Sequence, residues 1–168
     1  MSDFWLSKRS LSHLSGGHPD LIRLVSLAIS KTTIDFGVYE GERTDEEQEE
    51  MMRKGASRTL DSRHIASRDG IKMSVEDGGE FFAVDVLAFL GGKGRWEFKL
   101  YYEVARAFRD AGRELNIPVV WGGCWRVLNE IDDLEAAVSK YVLRKKKKGE
   151  VPLLDGPHFH LCRKVYPA

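Results

Sequence analysis

The sequence predicts an α+β fold in which helices pack against a largely antiparallel sheet. Helical and strand patterns follow one another along the 168 residues without the regular strand–helix–strand alternation of a parallel sheet. The apolar stretch FFAVDVLAF indicates a central strand, and amphipathic spacing from Leu100 to Leu115 indicates a long helix that covers one face of the sheet. The length suits one ordinary domain, so we expect residues 1–168 to form a single domain.

The elements before the central strand follow from local patterns. HPDLIRLVSLAIS, with Pro19 in its first turn, predicts a helix with one apolar face. Alternation over residues 34–38 predicts a strand. Thr44 and Glu47 match a capping box, which predicts that a helix begins at the stretch DEEQEEMMRK.

The elements after the long helix are shorter. IPVVW predicts a brief strand, and apolar residues at helical spacing over 134–142 predict a further helix. PHFHLCRKV predicts a last strand in which Phe159, Leu161 and Val165 alternate with polar side chains.

Composition excludes several classes of function. Lysine and arginine number 26, as do aspartate and glutamate, so no overall field favours nucleic acid, and we expect no nucleic-acid partner. The run from Lys145 to Lys148 is local and typical of a solvated helix end. No apolar stretch approaches the roughly 18 residues of a membrane span, so we expect no membrane insertion. The opening MSDFWLSKRSLSHLSGG is too polar for a signal peptide, and we expect a monomer made in the cytoplasm.

Two cysteines, Cys124 and Cys162, do not make a disulfide framework. Neither lies in a CxxC motif, so buried free thiols are the expected state, with a single bridge or a reactive thiol as alternatives.

The stretch DGPHFHL carries the strongest chemical signal. Alternation along a strand puts His158, His160 and Cys162 on one face, and Asp155 lies just before the strand. This pattern is compatible with a metal site or a proton relay, and also with two ordinary buried histidines. Asp155 is a candidate proton shuttle, or simply a turn aspartate that caps its own backbone.

Two further residues complete a possible ligand set. Asp85 is the only acid in the apolar central strand, where a carboxylate is costly to bury unless it is paired or bound to metal. His64 lies in the polar segment DSRHIAS. Together with His158 they supply two imidazoles and one carboxylate, a usual donor set for a catalytic zinc. Their separations of 21 and 73 residues do not form a compact motif, and HExxH is absent.

Arg43, in EGERTDEEQ, is a candidate for binding a substrate carboxylate through a bidentate contact, with an ordinary surface arginine as the alternative. His18 precedes Pro19 and is expected to help start a helix; neither it nor His13 is a candidate ligand.

Matches to a known family occur in order along most of the chain: LSKRSL with HPDLIRLV, DFGVYEGERTDEEQ, RKGAS with SRH, AVDVLAF, WEFKLYYEVARAFRDAGRELNIPVVWGG and DGPHFHL. These segments resemble phage endolysins of the zinc L-alanyl-D-glutamate peptidase type, which belong with the VanY-like D-Ala-D-Ala carboxypeptidases. The resemblance implies the small α+β zinc metallopeptidase fold of the D-Ala-D-Ala carboxypeptidase and hedgehog-like kind, with zinc on the sheet face.

The resemblance also implies roles for individual residues. His64, Asp85 and His158 match the zinc ligands, and Asp155 matches the general acid/base. Arg43 matches the substrate-binding arginine.

Gln48 and Ser62 match neighbours of that arginine in the substrate site. The implied substrate is the stem peptide of bacterial peptidoglycan, cut between L-Ala and D-Glu during host lysis, with release from the host cytoplasm to the wall through a holin. A D-Ala-D-Ala carboxypeptidase and a catalytically silent wall-binding module are the alternatives.

The sequence departs from the family pattern in four places. IASRDGIKMSVEDGGEFF is longer than the usual link after the first histidine. Cys124 stands where Asp is common, His160 where Glu or Gln is common, and residues 126–152 are a probable insertion that shapes the cleft or contacts the anionic wall.

Overall fold

The structure, a computed structural model, describes residues 1–167. Within these residues the elements follow in the order α1 (Lys8–Leu14), α2 (Pro19–Lys31), β1 (Asp35–Glu40), α3 (Asp45–Arg53), β2 (Ser67–Arg68), β3 (Ile71–Lys72), β4 (Ala83–Leu90), β5 (Lys93–Arg95), α4 (Phe98–Leu115), β6 (Val119–Trp121), β7 (Arg126–Val127), a 3₁₀ turn (Leu128–Glu130), α5 (Leu134–Lys147) and β8 (His158–Leu161).

The main sheet is antiparallel, which confirms the predicted α+β class. Its strand order is β1-β4-β8-β6-β7, with β5 paired to the far end of β4. Every strand pair in it is antiparallel. The last strand of the chain, β8, therefore lies at the centre of the sheet between β4 and β6.

One face of the sheet is covered by helices. The predicted apolar face of α2 is buried, and α2 packs against α4. Phe108 of α4 stacks on Phe159 of β8 with ring centroids 3.9 Å apart. Tyr101 of α4 accepts a hydrogen bond from the Ala88 N–H and donates one to the Arg95 carbonyl, which fixes the helix against the β4–β5 hairpin. The other face is left for the polar cluster described below.

Local signals account for α3 and α1. The Thr44 side chain accepts from the Glu47 N–H and the Glu47 carboxylate accepts from the Thr44 N–H, so the predicted capping box is present. Helix α1 was not predicted. It begins at the Ser7 cap, and the Ser10 hydroxyl accepts from the Val38 N–H, which ties α1 to β1.

The lengthened segment after His64 forms a side excursion. Ser67 and Glu80 exchange both backbone hydrogen bonds, at 3.0 and 2.9 Å, and close the excursion at its base. Asp69 and Gly70 both have positive φ, at 51° and 79°, the conformation of a two-residue hairpin turn between β2 and β3. The segment thus leaves the chain at Ser67 and rejoins it at Glu80, just before β4.

The end of the last strand was predicted wrongly. β8 ends at Leu161, and Val165 is exposed outside it. The N–H groups of Val165 and Tyr166 both donate to the Cys162 carbonyl, so the chain turns there instead of continuing the alternation.

Both cysteines are free and buried, as expected. Burial raises the pKa of the Cys124 thiol, which keeps it protonated. None of the helices in residues 1–167 combines the length and apolar character needed to cross a membrane.

Candidate metal centre

The exposed face of the sheet brings together His64, Asp85 and His158. Asp85 in β4 is the register partner of His158 in β8, so the two side chains leave the sheet side by side. His64 is held over them because its carbonyl accepts from the Arg43 N–H and the neighbouring Arg63 carbonyl accepts from the Phe82 N–H. The three residues therefore meet although they are distant in sequence.

Their donor atoms form a nearly equilateral triangle. His158 Nδ1 lies 3.1 Å from Asp85 Oδ1, His64 Nε2 lies 3.2 Å from His158 Nδ1, and His64 Nε2 lies 3.3 Å from Asp85 Oδ1. Ligands at about 2.0–2.1 Å from a tetrahedral zinc lie about 3.3 Å from one another. Both the donor types and their spacing therefore fit a zinc ion with three protein ligands.

The remaining ring nitrogens of the two histidines have partners that fix their tautomers. His64 Nδ1 lies 2.7 Å from the Gly41 carbonyl, so this nitrogen carries the proton and Nε2 keeps its lone pair for the cluster. His158 Nε2 lies 2.8 Å from His160 Nδ1, which leaves His158 Nδ1 free to face Asp85. Burial and the nearby His158 lower the pKa of His160 to about 2, so its ring is neutral and can accept this hydrogen bond when His158 Nε2 carries the proton.

Electrostatics keep Asp85 ionised beside the two histidines. Burial alone would raise the pKa of Asp85, but the two imidazoles beside it lower that pKa well below its ordinary value. Burial also opposes charge on His64, and the Asp85 carboxylate outweighs this effect and raises the pKa of His64. Asp85 is thus a carboxylate at neutral pH.

Asp155 lies at the entrance to β8, held by the backbone of Gly122. The Asp155 N–H donates to the Gly122 carbonyl at 3.0 Å, and the Gly122 N–H donates to the His158 carbonyl at 2.9 Å. Burial and the negative charge of Asp85 raise the pKa of Asp155 above its ordinary value. Such a carboxyl is better suited to exchanging protons near neutral pH than a surface aspartate.

Arg43 is buried, which contradicts the surface alternative. Its guanidinium donates to both Glu40 carboxylate oxygens at 2.7 and 2.8 Å, to Gln48 Oε1 at 2.7 Å and to Asp85 Oδ2 at 3.4 Å. Desolvation opposes its charge, and these partners, Glu40 first, raise the pKa of Arg43 above its ordinary value. The arginine therefore stays charged within contact of a candidate ligand.

Gln48 and Ser62 occupy different positions around Arg43. The Gln48 amide is buried; it accepts from Arg43 and donates to the Ser57 hydroxyl and the Thr59 carbonyl. Gln48 thus links Arg43 to the loop after α3. Ser62 is half-buried and lines the pocket, where its hydroxyl accepts from the His64 N–H at 3.3 Å.

A pocket of about 410 Å³ opens over the cluster. Its lining includes all three cluster residues, Asp155, His160 and Trp125, and four arginines: Arg43, Arg58, Arg63 and Arg163. This side of the cluster therefore presents cationic side chains to a ligand.

Trp125 and Leu153 form the part of the pocket wall that leads to Asp155. Trp125 has a φ of 55°, rare for a bulky residue, and its indole N–H donates to the Leu153 carbonyl at 2.9 Å. The Tyr141 hydroxyl of α5 donates to the same carbonyl and accepts from the Leu153 N–H. Residues 126–152 thus brace the segment that leads to Asp155.

Several contributors were not foreseen from the sequence. Gly41 and Gly122 position His64 and Asp155 through contacts between distant segments, and Glu40 holds Arg43 through a contact three residues away. Only the spacing of Glu40, three residues before Arg43 and at the end of a strand, carried a usable signal.

Comparisons with known proteins identify the family of the chain. The family model described as phage L-alanyl-D-glutamate peptidase matches residues 1–162. The chain is similar to the L-alanyl-D-glutamate peptidase of Escherichia phage T5, with 25% identity over 134 residues that cover 77% of this chain and 88% of that protein. It is also similar to the crystal structure of the Serratia marcescens L-Ala D-Glu endopeptidase ChiX, with a TM-score of 0.70, 35% identity, and coverage of 99% and 96% of the two chains.

Proposed function

We propose a reaction and residue roles from the premise that the chain belongs to the phage L-alanyl-D-glutamate peptidase family. The protein is a peptidoglycan endopeptidase of the endolysin type that cleaves the L-Ala–D-Glu bond of the stem peptide. The observation that carries the chemistry is the triangle of donors 3.1–3.3 Å apart on the floor of the pocket.

His64, Asp85 and His158 would hold a zinc ion. When bound, zinc lowers the pKa of a water in its fourth position and polarises the scissile carbonyl. The choice of zinc rests on the donor set, since two imidazole nitrogens and one carboxylate oxygen suit it better than the all-oxygen sites of calcium or magnesium.

Asp155 would move the proton. It accepts a proton from the attacking water as the oxygen bonds to the carbonyl carbon, and it donates that proton to the departing D-Glu nitrogen as the C–N bond breaks. The raised pKa of Asp155 supports this role, because the group must both accept and release a proton in one cycle.

Arg43 would orient a carboxylate of the stem peptide, with Ser62 beside it at the pocket wall. Among the described residues its contacts engage four of the five guanidinium N–H groups, which leaves one at Nη1. Gln48 would act in substrate binding through Arg43, because its own amide is engaged and it does not line the pocket.

We further propose that residues 1–168 act as one peptidase domain in which 126–152 is an insertion. The two hydrogen bonds between the Tyr141 hydroxyl and the Leu153 backbone support a bracing role for that insertion. Family membership also motivates the proposals that the enzyme acts as a monomer and reaches the wall from the host cytoplasm by holin-type release.

The test is mass spectrometry of diaminopimelate-type peptidoglycan incubated with the protein, with zinc, with chelator and with zinc restored. New D-Glu amino termini that disappear with chelator and return with zinc are expected. Release of D-Ala alone would identify a carboxypeptidase, and zinc binding without any product would identify a wall-binding module. Asp155→Asn is expected to retain zinc and lose turnover, whereas His64→Ala and His158→Ala are expected to lose both.

A further inference from the structure

An exposed aromatic pair lies outside the pocket, where β1 and β5 flank β4. Tyr39 and Trp96 meet edge to face with ring centroids 5.2 Å apart and an interplanar angle of 88°. Their exposed fractions are 49% and 52%, large for rings that already contact each other. Neither ring lines the pocket described above.

The sheet register places this pair beside the metal centre. Arg95 is the register partner of Ala88, so the following residue, Trp96, lies next to Leu87. Leu87 and Asp85 are on the same face of β4, with α-carbons about 7 Å apart. Tyr39 belongs to the irregularity in β1 between Val38 and Glu40, immediately before the residue that is paired with Asp85.

The two sides of the centre differ in chemistry. The pocket side presents the exposed side chains of Arg58 and Arg163, which suit the carboxylates that the stem peptide carries from D-Glu onwards. The other side presents two aromatic rings. Aromatic rings suit a neutral ligand with flat apolar surfaces, such as the C–H face of a sugar ring.

The bond that is cut requires a sugar at this distance. In intact peptidoglycan a single residue, L-Ala, separates the scissile bond from the lactyl group of muramic acid. One extended residue spans about 3.5 Å, so with the lactyl group the sugar ring lies within about 10 Å of the scissile carbonyl. If the acidic part of the substrate occupies the pocket beside Arg58 and Arg163, the glycan on the other side of the scissile bond comes within reach of Tyr39 and Trp96.

We propose that Tyr39 and Trp96 form a platform that binds the muramic acid end of the glycan strand during cleavage. The proposal rests on the L-Ala–D-Glu specificity given above and adds a sugar subsite to it. A second copy of this chain is a poorer occupant, because a stable protein interface needs roughly 1,000 Å² or more, far beyond two half-exposed rings.

The test compares two substrates that differ only in the sugar: the disaccharide tetrapeptide and a sugar-free peptide in which the amino group is capped by the same lactyl amide, N-lactyl-L-Ala-γ-D-Glu-diaminopimelate-D-Ala, called the free peptide below. Wild-type enzyme is expected to cleave the disaccharide form with the higher kcat/KM. Trp96→Ala and Tyr39→Ala are expected to lower kcat/KM for that form by about three- to tenfold and to leave the free peptide unchanged. Trp96→Tyr is expected to restore most of the preference.

Trp5→Ala is the matched control, since Trp5 is a 78% exposed tryptophan that belongs neither to the Tyr39–Trp96 pair nor to the pocket lining. Equal cleavage of both substrates by the wild type would overturn the platform, as would an equal loss on both substrates in Trp96→Ala. A concentration-dependent sedimentation change in Trp96→Ala alone would reassign the pair to contact between copies. If wild-type enzyme released no D-Glu amino terminus from either substrate, the proposed peptidase specificity itself would fail.

Discussion

At Gly122, one added methyl group should lower the catalytic rate much more than it lowers the stability of the fold. A Cβ at residue 122 would lie 2.3 Å from the Asp155 carbonyl oxygen, 3.0 Å from the Asp155 Cβ and 3.1 Å from the His158 Cβ. Contacts below 3.0 Å are essentially never seen for real Cβ atoms, so the Asp155 backbone must withdraw by about 0.7 Å or more. The displacement therefore affects both Asp155, the proposed proton shuttle, and His158, a proposed metal ligand.

We expect Gly122→Ala to lower kcat/KM on the disaccharide tetrapeptide by about 100-fold, since a shift of about 1 Å in a reacting group costs that much. The free energy of unfolding should fall by only about 1–3 kcal/mol, the usual cost of overpacking. Peptide release by mass spectrometry, urea unfolding and bound zinc are measured on the same preparation.

Gly149→Ala is the control. Gly149 is exposed and has a φ of 70°, and a methyl group added there would meet no atom within 4 Å. Alanine at this position therefore strains the backbone by about 1–2 kcal/mol without touching the site. Its kcat/KM should equal that of the wild type. Near-normal kcat/KM in Gly122→Ala, or an equal loss in Gly149→Ala, would refute the reasoning.

Four further outcomes are expected. His160→Leu should weaken zinc binding by about 10- to 100-fold in a chelator competition, whereas His160→Gln, whose amide oxygen can accept from His158, should lose less. Free zinc at 100 times its Kd should stabilise the folded protein by about 2.7 kcal/mol, so removing zinc should lower Tm in calorimetry. Adding calcium should not restore Tm. Burial, together with the hydrogen bond to Asp20, raises the pKa of Tyr166 to about 12. Because this folded-state pKa exceeds the unfolded value of about 10, its stabilisation is complete below pH 10 and is lost as the pH rises towards 12, so Tyr166→Phe should show a shallower alkaline fall in Tm than the wild type. Thr44→Ala should cost about 1 kcal/mol in urea unfolding through loss of the capping box, and Thr44→Ser should cost less.

Features encoded by local pattern were predictable from the sequence. The buried face of α2 and the capping box at Thr44 depend on residues within one or two turns of each other, and both were predicted correctly. Asp85 could be singled out because an acid within an apolar strand must have a partner.

Features that depend on contacts between distant segments were not predictable. Gly41 accepts a hydrogen bond from His64, 23 residues later in the chain, and Gly122 approaches Asp155 because β6 pairs with β8. The turn at Cys162 shows the same limit, since alternation in PHFHLCRKV gave no indication that the strand stops at Leu161.

The central position of β8 has a consequence for how the enzyme becomes active. Hydrogen-bond partners at the site are separated by 94 residues for His64 and His158 and by 73 for Asp85 and His158. Such non-local contacts close late in folding, because the entropy of a long loop must be lost before they form. A partly folded chain in which β8 has not joined β4 would hold neither the ligand set nor Asp155 in place. Hydrolytic capacity is therefore gained in the same cooperative step that completes the sheet, and incompletely folded molecules are inert.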